Sequence, residues 1–363
     1  MNGTVVDLFC GAGGLSHGFQ SAGFDVIAGV DNEAKFKQTF EENHNATFVE
    51  ADLESITGGE ILSTLSLDPG DVDVLIGGPP CQGFSLAGAT TTPGDERNFL
   101  ITQFIKAVYQ IKPEWFVMEN VPRITTMEDG AVLKYLLSQF DKIGYSVSHS
   151  ILNSVHFGVP QRRKRAFFVG NANGRDLSLP EGSYRESAKQ QTLFDQKNRK
   201  PRTVEDAFSD LPAICPGESA TEYATSPQGS YQKYLRSETP ELRNHQAPAH
   251  GDSVINRIKR AEQGKRIPYD SWSQKRRLED DEPAPTLLAG PRPTYHFAHP
   301  TQHRGLSVRE RARLQSFPDH FTFYGPVAKQ RQMTGNAVPP LVSEAVAASI
   351  LTAEQEEEIT DII

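Results

Sequence analysis

Cysteine is scarce in this chain, and the few cysteines present do not form a metal-binding or disulfide pattern. Cys10, Cys81 and Cys215 are the three cysteines; they lie far apart, and none belongs to a Cys-x-x-Cys pair. This spacing argues against a structural zinc site, and the odd number argues against a disulfide framework. We expect Cys10 and Cys215 to be small buried packing residues, and Cys81 to remain usable as a thiol.

Long apolar runs are also missing, since none approaches the roughly 20 residues that a membrane helix needs. A predicted strand begins at Thr4, which leaves no room for a signal peptide. We therefore expect no membrane partner. The expected compartment is the cytoplasm, with association to the nucleoid if the chain binds DNA.

An excess of positive charge is missing as well, because the formal net charge is −9. Phosphate contacts depend on local runs of Lys and Arg rather than on the total, however. Such runs are Arg162–Arg165, Lys197–Arg202, Arg257–Lys265 and Lys275–Arg277. A single run of this kind is ordinarily a solvated surface, so the charge pattern alone does not decide whether the chain binds nucleic acid.

The first half of the chain alternates apolar strands with amphipathic helices, which predicts a mostly parallel, doubly wound α/β sheet. The pattern weakens after Gly170 and returns with predicted helices at 308–315 and 342–357. We therefore predict one large α/β domain interrupted by a smaller, irregular one. The predicted boundaries are 1–172 for the first part, 173–305 for the irregular domain, and 306–363 for a segment returning to the first.

Two polar elements follow predicted strands of this sheet. Pro79 and Pro80 fix a turn directly before Cys81, because proline restricts φ and removes a backbone donor. Glu119 closes a second predicted strand. Because ligands bind beyond the carboxyl ends of parallel strands, a thiol nucleophile and a carboxyl group would share one edge.

The loop Phe9–Gly14 lies between the first strand and the first helix, where glycines let a ligand approach the backbone and the helix start offers N–H groups. It is not the dinucleotide pattern Gly-x-Gly-x-x-Gly, so no pyrophosphate cradle is predicted. Asp31, at the end of the second strand, can bind ribose hydroxyls, and Asp52 can accept from an adenine amino group. For Phe9 the competing interpretation is a core aromatic residue at a strand end.

Six elements in order resemble the DNA (cytosine-5)-methyltransferase family of the bacterial and archaeal restriction–modification type, from near residue 4 to near residue 345. They are Asp7-Leu8-Phe9-Cys10-Gly11-Ala12-Gly13-Gly14, Pro79-Pro80-Cys81-Gln82, Glu119-Asn120-Val121, Gln161-Arg162-Arg163-Lys164-Arg165, Arg309 to Asp319, and Gly335-Asn336-Ala337-Val338-Pro339. A glycine loop alone would be weak evidence, whereas six ordered elements are strong evidence.

The resemblance implies a Rossmann-like class I methyltransferase domain, a target-recognition domain at 173–305, and S-adenosyl-L-methionine as the cofactor. It implies that the residues binding this cofactor are Phe9, Gly11, Ala12, Gly14, Asp31, Asn32, Asp52, Leu53, Pro79, Leu100, Asn336 and Ala337. It implies no metal.

The resemblance also assigns the chemistry. Cys81 would attack C6 of a cytosine flipped out of duplex DNA, and the methyl group would pass to C5. Glu119 would hold N3 and the amino group, Arg165 would hold O2, and Arg163 would support this network or a phosphate. A purely structural ion pair is the competing interpretation of Glu119 with Arg165. The residues expected to contact DNA are Gln82, Ser85, Arg97 and Thr286.

The expected partner is double-stranded DNA at a specific short sequence, read by residues of 173–305, where Lys275, Arg276 and Arg277 would contact phosphates or bases. A restriction endonuclease acting on the same site is a further expected partner, and the chain is expected to be a monomer. A methyltransferase for tRNA is the first alternative, but the long segment before Arg309 favours DNA. A non-catalytic relative and a small-molecule methyltransferase are the others.

Overall fold

The computed structural model describes residues 3–80, 99–175, 177–187, 189, 199–237, 241–268, 275–289 and 296–360. The chain forms two compact units. The first comprises residues 1–153, 164–181 and 342–363, and the second comprises 154–163 and 182–341. Residues 306–341, which the sequence assigns to the segment returning to the first domain, thus lie in the second unit.

The first unit is built on a seven-stranded sheet with the order β3-β2-β1-β4-β5-β8-β6. Its strands are β1 Thr4–Leu8, β2 Asp25–Asp31, β3 Thr47–Glu50, β4 Val74–Gly77, β5 Trp115–Asn120, β6 Ser146–Asn153 and β8 Lys164–Asn171. β1 to β5 are parallel to one another, whereas β8 is antiparallel to both neighbours. The antiparallel direction brings the first residues of β8 to the carboxyl end of β5.

Helices accompany this sheet, as the alternation predicts. They are α1 Gly14–Ala22, α2 Lys37–His44, α3 Gly58–Leu65, α4 Phe99–Ile111, α5 Ala131–Lys142 and α11 Pro340–Thr360. The predicted helix over 32–43 is a short 3-10 turn, Ala34–Phe36, followed by α2. Val74, Leu75 and Ile76 of β4 are fully buried, as expected for a parallel sheet covered on both faces. This confirms the Rossmann-like fold class.

The second unit has short elements, in agreement with its weak periodicity. Two-residue strands form two pairs: β7 Gln161–Arg162 with β10 Ala284–Pro285, and β9 Arg276–Arg277 with β11 Phe297–Ala298. The helices are α6 Val204–Phe208, α7 Ser230–Leu235, α8 Asp252–Lys259, α9 Val308–Leu314 and α10 Val327–Asn336. An apolar cluster joins α6, α7 and α9.

Buried ion pairs organise this second unit around α9. Arg304 donates two hydrogen bonds to Glu310, at 2.8 and 2.7 Å, and both side chains are fully buried. Arg313 pairs with Asp319 and Asp210, each at 2.5 Å. Burial by itself would raise the pKa of Glu310, but the Arg304 guanidinium outweighs burial and holds that pKa below its usual range. Removing one partner would leave an uncompensated buried charge, so these residues fix the fold of this unit.

Cys10 is buried as predicted, but the prediction for Cys215 is wrong, because Cys215 is exposed. It opens a surface turn, in which the Glu218 N–H donates to the Cys215 carbonyl at 3.0 Å and the Cys215 N–H donates to the Glu218 carboxylate at 2.8 Å. No helix among the described residues is long and apolar enough to cross a membrane. The same residues contain no cluster of side chains suited to a metal ion.

Candidate active site

The carboxyl ends of the parallel strands form one edge of the first unit and gather most of the residues singled out from the sequence. Phe9 follows β1, Asp31 ends β2, and Asp52 follows β3. Pro79 follows β4, and Glu119 is the penultimate residue of β5. Adjacent parallel strands therefore bring together five side chains that are far apart in sequence.

The loop after β1 is held to the end of β2 by a carboxylate. The Gly11 N–H donates to Asp31 Oδ2 at 2.9 Å, and the Glu33 N–H donates to Asp31 Oδ1 at 3.0 Å. Burial raises the pKa of Asp31, while these amide hydrogen bonds oppose the rise. Gly11 has φ 56°, and a Cβ atom there would meet no atom within 4 Å, so the loop backbone faces open space.

The remaining predicted cofactor residues of this unit differ in exposure. Ala12, Gly14 and Leu53 are buried, whereas Phe9 and Leu100 are half-buried and pack against the core. Asn32 and Asp52 are exposed, and the Asp52 carboxylate accepts from the Glu54 N–H at 3.0 Å. This mixture of a half-buried ring, exposed polar groups and a glycine loop facing open space fits a nucleoside with an anionic tail.

Asp7 begins the element Asp7–Gly14, although no separate role is predicted for it from the sequence. It is fully buried under the loop, where Ser16 of α1 donates to Asp7 Oδ2 at 2.6 Å. Burial raises the pKa of Asp7 to about 7, against the lowering effect of the Ser16 hydroxyl. An acidic residue inside an apolar strand is the sequence signal for a buried carboxyl group of this kind.

Glu119 and Arg165 form an ion pair at this edge. Arg165 Nε lies 2.7 Å from Glu119 Oε1, and the two side chains retain 18% and 12% of their accessible surface. The antiparallel β8 makes the pair possible, because Glu119 faces Phe167 across the ladder and Arg165 lies two residues away on the same face. The other carboxylate oxygen, Oε2, would lie 3.2 Å from a Cβ atom at Gly78. The glycine thus leaves room for the carboxylate beside the proline turn.

Asn120, next to Glu119, ties β5 to the turn that precedes Cys81. Its Nδ2 donates to the Pro79 carbonyl at 2.9 Å, and its Oδ1 accepts from the Val121 N–H at 2.9 Å. The side chain is buried, so both ends of the amide are used within the protein. Asn120 belongs to the element Glu119-Asn120-Val121, and its amide directly after the carboxyl residue is the sequence signal for this contact.

In the second unit, Arg163 and Thr286 are engaged by main-chain groups. Arg163 is buried and donates to the carbonyls of Leu287, Gly335 and Asn336, at 3.1, 3.0 and 3.2 Å. The Thr286 hydroxyl donates to the Arg162 carbonyl at 2.7 Å. Arg163 therefore orders backbone rather than presenting its guanidinium at a surface.

Asn336 ends α10 and is exposed, and Ala337 follows it half-buried. They lie in the second unit, whereas the other predicted cofactor residues lie in the first. The Asn336 carbonyl accepts from Arg163 Nη2, and the Ala337 N–H donates to the Met333 carbonyl at 3.1 Å.

Arg277 is not available for DNA, which corrects one expectation. Its guanidinium is buried and donates to the carbonyls of Pro300 and Ala261, at 2.8 and 3.1 Å. The neighbouring Arg276 is half-buried, with its backbone in β9. Four predicted site residues, Cys81, Gln82, Ser85 and Arg97, lie outside the described residues.

Comparison with known proteins gives one family over nearly the whole chain. The family model for C-5 cytosine-specific DNA methylase matches residues 3–352. The chain is 34% identical over 363 residues to the Type II methyltransferase M1.HphI of Haemophilus parahaemolyticus, covering 97% of this chain and 87% of that protein. It is 33% identical to M.DdeI of Desulfomicrobium norvegicum, covering 95% and 88%.

A solved structure agrees with these sequence matches. A structure described as a prophage-encoded DNA modification methyltransferase of E. coli is similar to this chain with a TM-score of 0.77 and 26% identity. The match covers 97% of this chain and 99% of that one. The similarity thus extends over the sheet-based unit and the irregular unit alike.

Proposed function

Since this chain belongs to the C-5 cytosine-specific DNA methylase family and is a DNA (cytosine-5)-methyltransferase, we propose that the edge formed by β1 to β5 is its active site. The observation that carries this proposal is the Glu119–Arg165 pair beside the Pro79–Pro80 turn. The pair lies directly beside the turn that leads into Cys81, whereas Cys10, the other cysteine that follows a strand at this edge, is buried.

The family and fold imply S-adenosyl-L-methionine as the methyl donor, and the residues of the edge fit such a molecule. We assign the ribose hydroxyls to Asp31 and the adenine ring to Phe9 and Leu53, with Asp52, Asn32, Pro79 and Leu100 around it. We assign the methionine carboxylate to Gly11, Ala12 and Gly14 at the start of α1, where helix N–H groups favour an anion. When bound, the cofactor supplies an electrophilic methyl group.

The chain's own residues prepare the cytosine. Cys81 forms a bond from sulfur to C6, which breaks the ring's aromaticity and moves electron density to C5. Glu119 holds N3 and the amino group while charge develops on the ring, and Arg165 holds O2. After C5 has gained the methyl group, its proton leaves and the sulfur–C6 bond breaks, which restores the thiolate. Arg163 acts indirectly, since its guanidinium orders backbone.

The substrate is duplex DNA, and the target base leaves the stack before it reacts. We assign contacts with the DNA to Gln82, Ser85, Arg97 and Thr286, and choice of the short target sequence to the second unit. Similarity to Type II methyltransferases favours a cognate restriction endonuclease acting on the same site. A monomer in the cytoplasm, associated with the nucleoid, completes this proposal.

Transfer of tritium from labelled S-adenosylmethionine to duplex DNA, tRNA and free nucleosides tests the substrate. We expect label only in DNA, as 5-methylcytosine; label in tRNA would favour the RNA-directed alternative. Cys81→Ser should abolish transfer while DNA binding persists, and 5-fluorocytosine at the target should trap a covalent adduct with wild type only. Normal turnover by Cys81→Ser would refute the nucleophile.

A further inference from the structure

We propose that His44 is a positioning residue for the loop Phe9–Gly14. Its imidazole packs against the backbone of Ala12 and Gly13 and thereby sets how tightly the methyl donor binds. This inference rests on the proposed role of the loop as the cofactor site. His44 lies far from that loop in sequence, and neither composition nor motif pattern points to it.

The contact between His44 and the loop is close. His44 is 3% exposed, and its Nε2 lies 3.3 Å from the Ala12 carbonyl oxygen. A Cβ atom at Gly13 would lie 2.0 Å from Nε2, so the ring occupies the space that any side chain at position 13 would need. Gly13 also has φ 83°, a conformation that favours glycine. The ring and the loop backbone are therefore fitted to each other.

The ring itself is held on its other side by α1. His44 Nδ1 lies 2.6 Å from Gln20 Oε1, and Gln20 Nε2 donates to the His44 carbonyl at 2.9 Å. The two ring nitrogens thus lie within hydrogen-bonding distance of polar atoms on opposite sides, Gln20 Oε1 and the Ala12 carbonyl oxygen. Burial lowers the pKa of His44 to about 4, against the raising effect of the contact with the Ala12 carbonyl, so the ring is neutral at pH 7. The Nε2 edge of the ring therefore meets the loop both at the Ala12 carbonyl and in the space beside Gly13.

Phe40 completes the support one helical turn before His44. The two rings lie 4.7 Å apart, and the Phe40 ring packs so closely on Gly29 of β2 that a Cβ atom there would lie 2.4 Å from it. Residues four apart on a helix share one face, so α2 presents both rings to the sheet side. A chain of contacts thus runs from β2 through Phe40 and His44 to Gly13.

Two amide variants separate support of the loop from general packing. Asparagine places its amide near the position of Nδ1, so His44→Asn keeps the Gln20 contact and leaves a gap below Ala12 and Gly13. Glutamine reaches the position of Nε2, so His44→Gln fills that gap and can donate to the Ala12 carbonyl. If His44 served stability alone, the two variants would not differ in cofactor affinity.

The test is calorimetric titration of each variant with S-adenosylmethionine, together with thermal unfolding and binding to target duplex. We expect His44→Asn to weaken cofactor affinity about tenfold, the scale of one lost buried contact. His44→Gln should stay within about threefold of wild type, again a fraction of one such contact. The defect of His44→Asn should appear in KM for the cofactor, with kcat at saturation and duplex affinity retained.

Several outcomes would overturn the inference. Unchanged affinity in His44→Asn would do so, and so would equal losses in both variants that follow their unfolding temperatures. If His44→Asn does not fold, Gln20→Leu decides, because it releases the ring and should weaken affinity in the same direction. Asp31→Ala separates failure of the proposed cofactor site from failure of the proposed role of His44. If it leaves affinity unchanged, the cofactor site is misassigned; if it weakens affinity while His44→Asn does not, only the role of His44 fails.

Discussion

At the scale of single residues, the space beside a catalytic group is defined as much by a missing side chain as by those present. Glu119 Oε1 is engaged by Arg165, and Oε2 is directed towards Gly78. Asn120 holds the Pro79 carbonyl on the other side of the same turn. The carboxylate is therefore positioned by an ion pair, a glycine and a buried amide.

Gly78→Ala should reduce turnover. The added methyl group would lie 3.2 Å from Glu119 Oε2, closer than ordinary contact, so the carboxylate must shift. The shift needed is a few tenths of an ångström, so the rate should fall by up to about tenfold, less than the roughly hundredfold of a misplacement of about 1 Å. The measurement is kcat with cofactor and DNA saturating, with cofactor affinity expected to be unchanged.

Gly59→Ala is the matched control for that substitution. A Cβ atom at Gly59 in α3 would meet nothing within 4 Å, so this variant should keep full turnover. It should gain about 0.5–1 kcal/mol of stability from the better helix former. Equal turnover in Gly78→Ala and Gly59→Ala would show that Glu119 needs no such room.

Asp7→Asn should change the pH dependence of stability. Burial raises the pKa of Asp7 in the folded protein to about 7 from its ordinary value of 3.8, so the folded state binds this proton more tightly than the unfolded chain. The stabilising contribution of protonated Asp7 is fully present below pH 4 and is lost as the pH rises through about 7. Asparagine cannot titrate, so the variant should lose less stability over this window.

Urea unfolding of wild type and Asp7→Asn from pH 4 to pH 8 measures this difference. The free energy of unfolding of wild type should fall relative to that of the variant by up to a few kcal/mol, since one pKa unit corresponds to about 1.4 kcal/mol. Parallel stability curves over the whole range would show that Asp7 titrates normally in the folded protein.

At the scale of elements, short strands of the second unit place neighbouring cations in opposite environments. Arg277 of β9 is buried under main-chain carbonyls, whereas Arg276 alternates to the other side and is half-buried. Alternation along an extended strand accounts for this difference. A basic run read from sequence therefore contains both a structural cation and a candidate for DNA contact.

Arg276→Gln should weaken DNA binding and, if Arg276 contacts a phosphate, reduce the slope of log affinity against log salt by about one. If Arg276 reads a base instead, relaxed target choice worth about 1–3 kcal/mol should dominate. Arg277→Gln is the contrasting variant, because it should lower the unfolding temperature and leave the salt slope unchanged. Binding isotherms at four salt concentrations distinguish these results, and a reduced slope in Arg277→Gln would contradict the assignment.

At the scale of the whole molecule, the boundary between the two units does not follow the order of the family motifs along the chain. The segment 306–341 contains α9 and α10 and belongs to the second unit. Its Arg313 pairs with Asp210, and Tyr223 donates to Asp319 at 2.8 Å. The element Arg309 to Asp319, which resembles a family motif, thus completes the core of the irregular unit.

Exchange of residues 182–341 for the equivalent segment of a relative with another target should move the methylation site and leave the product as 5-methylcytosine. Exchange of 173–305 alone should be less stable, because it separates Arg313 from Asp210 unless the donor supplies an acid there. Breaking a buried pair in this way costs about 3–5 kcal/mol. Bisulfite mapping and thermal unfolding of both chimeras are the measurements. An active 182–341 chimera that keeps the original site would refute this division of labour.

The sequence by itself determined the sheet-forming strands, the loop after β1, the Pro79–Pro80 turn and the family, because each depends on local periodicity or on residues adjacent in the chain. Only the tertiary structure decided what depends on direction and distance. The antiparallel direction of β8 explains how Arg165, already expected near Glu119, reaches it; α2 brings His44 against Gly13, and β9 buries Arg277 while leaving Arg276 half-buried. Such contacts join residues far apart in sequence, and no local pattern encodes which of several basic or aromatic residues will meet a given partner.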